Sequence, residues 1–280
     1  MTGDEPADAG RGMIGGRNLP AAIAVGLLLA GVFLGSVFWR TEAFGAVIAL
    51  LAALACVEVG RVLRPQGTRL IVPVMVLTVV VAITGAYVAG AAGQRLGVGV
   101  LLLGSVLWVL FDRRRTDIVN TLATTVLFGL WIAFLASYGV LLHDRPDGAV
   151  VVLAVVGAAV VADIGGYAFG VPFGRHKVAP SVSPNKSWEG LLGGLLVAAG
   201  LAALVLPLVG DTFAPGSAAA LAVLCGLAAF FGDLTESMIK RDLGVKDLGE
   251  LLPGHGGVLD RVDGILFALP VGYHTMVWFV

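Results

Sequence analysis

The sequence predicts an all-α integral membrane protein, a polytopic helical bundle with about nine transmembrane helices. Of its 280 residues, 58% are hydrophobic and only 13% are charged. A soluble domain carries about 25% charged residues, so this chain lacks the charged surface that such a domain needs. Apolar runs of bilayer length recur along the chain, and the positive charges between them alternate between two sides. These observations place the chain in the membrane class.

Each apolar run is about as long as a helix that crosses a hydrocarbon core of roughly 30 Å. Because backbone polar groups must be satisfied internally in lipid, every run is predicted to be a helix. No sustained period-two alternation indicates a transmembrane barrel. The predicted spans are residues 19–39, 43–60, 70–92, 96–111, 118–142, 149–171, 190–209, 216–233 and 264–280.

The first run follows Arg11 and Arg17, as the apolar core of a signal peptide would. It reaches Trp39 without a small-residue cleavage site, so it is predicted to be a retained first helix.

The Lys and Arg residues predict the orientation. Nine spans put fifteen of the eighteen on one side, and the other side holds Arg40, Arg95 and Arg145. By the positive-inside rule the first side is cytoplasmic, which puts the N-terminus in the cytoplasm and the C-terminus on the opposite side. A bacterial inner membrane fits this compact chain, and the membrane of an organelle of bacterial descent is the alternative.

Polar residues divide the chain into three parts. Residues 1–18 are polar and glycine-rich and are predicted to be a disordered cytoplasmic tail. The first five predicted spans carry almost no polar residues, and residues 19–148, which contain them, are predicted to be scaffold helices. Residues 149–280 hold the chemistry-bearing residues and are predicted to be the catalytic region, with its active site on the cytoplasmic side. Cys56 and Cys225 lie in apolar runs and fit neither a disulfide framework nor a zinc site.

The densest polar constellation begins near residue 232. If 232–242 is helical, its polar residues share one face. Such a stripe is costly at the end of a membrane span unless it faces a polar cavity. The alternative is a solvated juxtamembrane helix held by ion pairs. The residues are Asp233, Glu236, Ser237, Lys240 and Arg241.

The following loop is glycine-rich and ends in a second acidic pair, Asp260 and Asp263. Mg²⁺ prefers few carboxylates together with water and phosphate oxygens. Asp233 with Asp260, helped by Asp263, is therefore the predicted metal site. Nearby cations supply the charge that phosphates demand, and the glycines allow backbone N–H groups to approach phosphate. These residues are Lys240, Arg241, Lys246, Arg261, Gly254, Gly256 and Gly257.

A second constellation covers residues 163–190. Asp163 lies deep in an apolar run, where an ionisable residue indicates a functional site; the alternative is a carboxylic acid hydrogen-bonded between helices. Residues 183–186 read as a turn before the next helix. Lys186 and Glu189 are predicted to contact a nucleotide. No Gly-x-x-x-x-Gly-Lys-Ser/Thr loop occurs, which excludes a P-loop site.

The run from Ser237 to Asp263 is similar to the signature of the phosphatidate cytidylyltransferase family, S-x-x-K-R, four residues, K-D, then L-P-x-H-G-G-x-x-D-R-x-D. Residues 163–190 resemble the family's D-x-x-A-Y…G-x-x-x-G…S-P-x-K-x-W-E-G stretch, with departures at residues 164–166 and at Asn185. The motifs cover roughly a fifth of the chain.

The resemblance implies that CTP and phosphatidic acid react on the cytoplasmic face to give CDP-diacylglycerol and pyrophosphate, for phospholipid biosynthesis. It implies Mg²⁺, with or without a second cation, held by Asp233 and Asp260 with support from Asp263. It also implies a homodimer in the lipid bilayer and no nucleic-acid partner. His255, flanked by glycines, either donates to pyrophosphate or shapes its loop.

The candidate residues fall into two sets. The catalytic candidates are Asp233, Lys240, Arg241, Lys246, Asp247, His255, Asp260, Arg261 and Asp263. The substrate-binding candidates are Asp163, Tyr167, Ser183, Lys186, Glu189, Glu236, Ser237, Gly256 and Gly257.

Other functions remain open at this point. One is cytidylyl transfer to another lipid phosphate, such as an isoprenoid ether lipid, which the motif barely discriminates. Another is an ion-coupled transporter that uses Asp163 and Asp233, although the charges cluster on one side and no internal repeat is evident. A CDP-alcohol phosphatidyltransferase is disfavoured, because Asp263-Gly264 is followed by Ile-Leu-Phe-Ala and not by that family's D-G-x-x-A-R.

Overall fold

The computed structural model describes residues 13–14, 17–113, 116–249, 251 and 256–279. Helices dominate these residues, which confirms the predicted all-α membrane class. The helices are α1 (Leu19–Trp39), α2 (Thr41–Leu63), α3 (Val72–Phe111), α4 (Ile118–Gly129), α5 (Leu135–His143), α6 (Gly148–Phe173), α7 (Trp188–Val209), α8 (Pro215–Asp242) and α9 (Leu259–Phe279). The strands are β1 (Met13–Ile14), β2 (Arg17–Asn18), β3 (Lys177–Ala179) and β4 (Ser183–Ser187). A π-helical stretch, Leu130–Phe134, joins α4 to α5.

Six helices of the described chain are long and apolar enough to cross a membrane. The predicted count of nine is therefore not confirmed by length and composition. The six are Thr41–Gln66, Val72–Phe111, Ile118–His143, Gly148–Phe173, Trp188–Val209 and Pro215–Asp242.

Helix α3 folds back on itself. Ala89 and Gly90 have non-helical backbone angles, and Gly90 has φ of +57°, which glycine adopts without steric cost. A Cβ on Gly104 would lie 3.1 Å from Val74. In a straight helix these two residues would be about 45 Å apart. The two arms of α3 are therefore antiparallel, as two successive spans would be, but the turn lies inside the predicted span 70–92 and not between it and 96–111.

The helix that runs from Ile118 to His143 lies at the centre of the bundle. Its most apolar stretch is 72% buried, against 22–44% in the other five candidate spans. Gln94 of α3 donates to Ser137 Oγ at 2.9 Å, which ties this central helix to the α3 arm. The scaffold half thus forms a packed support for the C-terminal helices.

Helices α6 to α9 pack together, and α8 crosses α9 closely at two glycines. A Cβ on Gly232 would lie 2.9 Å from the Asp263 carbonyl oxygen and 3.0 Å from Gly264 Cα. Small residues at a helix crossing let the backbones approach in this way. The crossing lies beside Asp233 and Asp263, so it brings their two side chains close together.

A short hairpin connects α6 to α7. Strand β3 pairs antiparallel with β4, and Ser187 caps α7 by accepting the Gly190 N–H at 3.2 Å. The predicted turn at 183–186 is thus part of strand β4, which carries Lys186 towards α8. In the predicted tail, β1 and β2 pair antiparallel, and residues 1–12 lie outside the described residues.

Candidate active site

A cavity of about 560 Å³ lies between α6, the hairpin, α8 and α9. Its walls carry residues from both sequence constellations, although these are up to a hundred positions apart in the chain. The polar lining residues are Asp163, Tyr167, Ser183, Asn185, Lys186, Ser187, Asp233, Arg261 and Asp263. The volume is within the range of ligand-binding clefts. The tertiary structure therefore joins the two constellations into one site.

Three carboxylates form a cluster at this cavity. Asp233, Glu236 and Asp263 each offer one oxygen, and these oxygens lie within 4.8 Å of one another. Glu236 is 2% exposed, and its Oε1 has no hydrogen-bond partner among the described residues. A buried carboxylate oxygen without a donor fits a hard cation that takes oxygen ligands. The donor set therefore fits Mg²⁺, with Glu236 added to two of the three predicted ligands.

Asp260, the third predicted ligand, has other partners. Its carboxylate accepts the N–H of Leu248 at 3.0 Å and of Gly257 at 2.9 Å, and Lys240 Nζ at 3.1 Å. Burial opposes ionisation of this carboxyl, but the backbone donors and Lys240 outweigh it and lower its pKa. The structure thus places Asp260 beside the cluster, where it holds the backbone of Leu248 and Gly257. Its role as a metal ligand stays a prediction.

Two lysines balance part of the cluster's negative charge. Lys186 forms an ion pair with Asp233, and its ammonium lies 4.5 Å from the centre of the Phe230 ring. Lys240 contacts Glu236 at 2.6 Å. Asp233 also accepts the Ser237 hydroxyl at 3.2 Å. The cluster thus combines three carboxyl groups with two lysines, one of which, Lys240, also contacts Asp260 at 3.1 Å.

Asp263 lies in the first turns of α9, before the last apolar run, which begins at Gly264. Burial, together with the nearby charge of Asp233, raises the pKa of Asp263 to about 6. The carboxyl therefore ionises more readily when a cation is beside it.

The other candidate residues from the loop and from the end of α8 do not all reach the cavity. Arg261 lines the cavity. Arg241 Nε donates to the Val182 carbonyl at 3.3 Å and so holds the β3–β4 turn against α8. Lys246 is exposed, and Asp247 lies next to Gly256, but neither lines the described cavity.

Glu189 does not reach the cavity described above. Its carboxylate accepts the His176 backbone N–H at 3.2 Å and contacts His176 Nδ1 at 2.5 Å. It therefore ties the end of α6 to the start of α7. The structure supports this anchoring contact and leaves its predicted nucleotide contact untested.

The glycine-rich loop is described at its ends. Gly256 has φ of +81°, a conformation that favours glycine, and the Gly257 N–H is used by Asp260. The proposed role of His255 falls outside the described residues, since 252–255 are not among them.

Sequence reasoning missed Glu58, which lies in the predicted scaffold. Glu58 is 4% exposed, and its two carboxylate oxygens accept the N–H groups of Leu251 at 2.9 Å and Val258 at 2.6 Å. The available signal was an acidic residue inside an apolar span, the same signal that marked Asp163. The scaffold therefore contributes a carboxylate to the loop of the active site.

The chain is similar to a family of known proteins. A family model described as the Cytidylyltransferase family matches residues 20–279. The chain is 37% identical over 266 residues to the phosphatidate cytidylyltransferase of Mycobacterium bovis, covering 90% of this chain and 86% of that protein. It is 37% identical over 273 residues to the phosphatidate cytidylyltransferase of Mycobacterium leprae, covering 90% and 85%. A shorter match to the Haemophilus influenzae enzyme of the same name is 47% identical over 133 residues, 46% of each chain.

Proposed function

This chain belongs to the cytidylyltransferase family, and we propose that it transfers the cytidylyl group of CTP to phosphatidic acid, giving CDP-diacylglycerol and pyrophosphate. The observation that carries this proposal is the convergence of acids and cations from both motifs on one cavity. The names of the relatives with 37% identity support the same reaction. The enzyme is then a nucleotidyltransferase of phospholipid biosynthesis.

Substrate binding follows from the charge of the cavity walls. Lys186 and Arg261 line the cavity and supply the positive charge for the phosphate groups of CTP and the lipid. The planar guanidinium of Arg261 suits two phosphate oxygens at once. Asp163, Tyr167 and Ser183 line another part of the wall and are the proposed contacts for the cytidine.

The carboxylate cluster is the proposed Mg²⁺ site. Asp233, Glu236 and Asp263 would hold the ion, and Lys240 would keep Glu236 oriented through its 2.6 Å contact. When bound, Mg²⁺ supplies charge neutralisation for the phosphates. The protein's part is to present the three carboxylates together at a site enclosed by α8 and α9.

The proposed reaction is an in-line displacement at the α-phosphorus of CTP. A phosphate oxygen of phosphatidic acid forms the new P–O bond, and the bond to the bridging oxygen breaks, so pyrophosphate leaves with the electron pair. The second pKa of a phosphate monoester is about 6, so the attacking group is largely anionic at neutral pH. No strong general base is required, and positioning by Lys186, Arg261 and the cluster provides the catalysis.

The topology belongs to the same proposal. Nine spans follow if α1, α2, the two arms of α3, the 118–143 helix and α6 to α9 each cross once. The N-terminus is then cytoplasmic, the C-terminus lies on the opposite side, and the cavity opens to the compartment that contains CTP. We propose a bacterial inner membrane as the location and a homodimer as the assembly that the family resemblance implies.

The test is CTP-dependent formation of CDP-diacylglycerol by purified protein in detergent with phosphatidic acid and Mg²⁺. We expect product from the wild type and from the control variant Asp211→Asn, whose exposed side chain precedes the N-terminus of α8, whereas Asp233 and Glu236 lie towards its C-terminal end. Asp263→Asn should lower turnover by roughly 100-fold. Product from an isoprenoid ether lipid phosphate alone would support the other cytidylyltransferase. Ion flux in proteoliposomes without cytidylyl transfer would contradict the proposal.

A further inference from the structure

Glu58 of α2 binds the loop that leads into the active-site turn of α9. We propose that Glu58 is a positioning residue for nucleotidyl transfer, which acts by capping the N-terminus of α9 from the scaffold half of the chain. This inference rests on the proposed function for its kinetic test and on the geometry alone for its structural test.

The contacts of Glu58 are unusual for a scaffold helix. Its Oε2 accepts the Val258 N–H at 2.6 Å, and its Oε1 accepts the Leu251 N–H at 2.9 Å. Within the described residues no Lys or Arg pairs with this carboxylate, which is 4% exposed. A buried charge without a cation is costly unless backbone dipoles stabilise it. The Val258 N–H, at the residue before α9, is such a dipole and favours a negative charge, and the Leu251 N–H adds a second donor from the preceding segment.

The space around the carboxylate is closed. A Cβ on Gly249 would lie 2.5 Å from the Glu58 carboxyl group. Gly249 also packs against Gly257, where a Cβ would lie 2.7 Å from Gly249 Cα. The loop therefore has no room to move towards α2, and Glu58 holds it in this position.

The position of this loop decides where the catalytic side chains lie. Val258 immediately precedes α9, and its carbonyl accepts the Arg261 N–H at 3.1 Å. On the other side, Asp260 accepts the Gly257 N–H at 2.9 Å. Asp260 and Glu58 thus hold the adjacent residues Gly257 and Val258 by their backbone N–H groups. Arg261 and Asp263, which line the cavity, extend from the turn that follows. A misplacement of about 1 Å can lower a rate by about 100-fold.

Glu58→Gln tests the proposal with little change in shape. The glutamine amide has one acceptor, so its NH₂ group must face one of the two backbone N–H donors. We expect kcat to fall at least about 10-fold and the Mg²⁺ concentration for half-maximal activity to rise at least about 3-fold. The matched control is Glu42→Gln on the same helix, where Glu42 pairs with Arg40 and Tyr87 away from the cavity. It should match the wild type in both quantities.

A second measurement does not depend on activity. Lys246 is exposed next to the loop, so trypsin should cut after it faster in Glu58→Gln than in Glu42→Gln. If Glu58→Gln does not fold, Glu58→Asp in native membranes gives the same comparison, since it keeps the charge but shortens the reach. Wild-type kinetics and cleavage would overturn the proposal. A lower melting temperature with unchanged kcat and Mg²⁺ response would also overturn it, because Glu58 would then only stabilise the fold. A wild type without product would instead reject the proposed function, and cleavage would still decide on Glu58.

Discussion

Replacing Asp260 by asparagine should lower the free energy of unfolding and leave the stabilisation by Mg²⁺ in place. The Asp260 side chain is 1% exposed and accepts donors on both oxygens, from Lys240, Leu248 and Gly257. Asparagine has one acceptor oxygen and one NH₂ group of nearly the same shape. Whichever way the amide turns, its NH₂ faces a donor, either the Lys240 ammonium or the two backbone N–H groups.

The cost follows from these contacts. Hydrogen bonds to a charged group are worth about 1.5–3 kcal/mol each, and removing one partner of a buried ion pair costs about 3–5 kcal/mol. At least one such contact is lost, and Lys240 loses the charge of Asp260 in either orientation, so we expect a loss of about 3 kcal/mol. At roughly 2–4 °C per kcal/mol, the melting temperature should fall by about 6–12 °C.

The assay is thermal unfolding of the purified protein in detergent, with and without Mg²⁺. Asp260→Asn should lower the melting temperature under both conditions and keep the increase that Mg²⁺ produces. The control is Asp211→Asn, which should leave both melting temperatures unchanged. If Asp260→Asn keeps the wild-type melting temperature but loses the Mg²⁺ response, Asp260 is a metal ligand as the sequence predicts, and our structural reasoning is refuted.

Three further predictions concern the cluster and its helix crossing. Asp263→Asn should abolish the thermal stabilisation by Mg²⁺ because one ligand loses its charge; a full Mg²⁺ response in this variant would exclude Asp263 as a ligand. The pKa of Asp263 is raised to about 6, so its protonated form is favoured in the fold. Without Mg²⁺, stability should therefore fall as pH rises from about 4 to 6, and a melting curve that is flat over this range would contradict the assignment. Gly264→Val should lower the free energy of unfolding by at least about 2 kcal/mol and remove most of the activity, since a Cβ there lies 2.9 Å from the Ala229 carbonyl. Gly216→Val, with open space around its Cβ, is the matched control.

Much of the architecture was predictable because hydropathy is a local property of the chain. The apolar runs at 70–92 and 96–111 predicted two spans where α3 has two arms, but the turn at Ala89 and Gly90 lies inside the first run. The polar face of 232–242 was likewise predictable, since helical periodicity alone places Asp233, Glu236 and Lys240 together. Motif residues such as Lys186 and Arg261 were candidates on sequence grounds, and both line the cavity.

What the sequence could not determine was the partner of each carboxylate. Glu58, 200 positions before Val258, is assigned to the loop only by the packing of α2 against it. Asp260 and Glu236 are equally acidic in sequence, yet backbone N–H groups occupy Asp260, and one oxygen of Glu236 has no donor among the described residues. Sequence by itself determined the membrane class, the helical runs and the acidic and basic residues that converge. Tertiary structure decided which acids face one another, because the close α8–α9 crossing at Gly232 and Gly264 sets distances that no local pattern encodes.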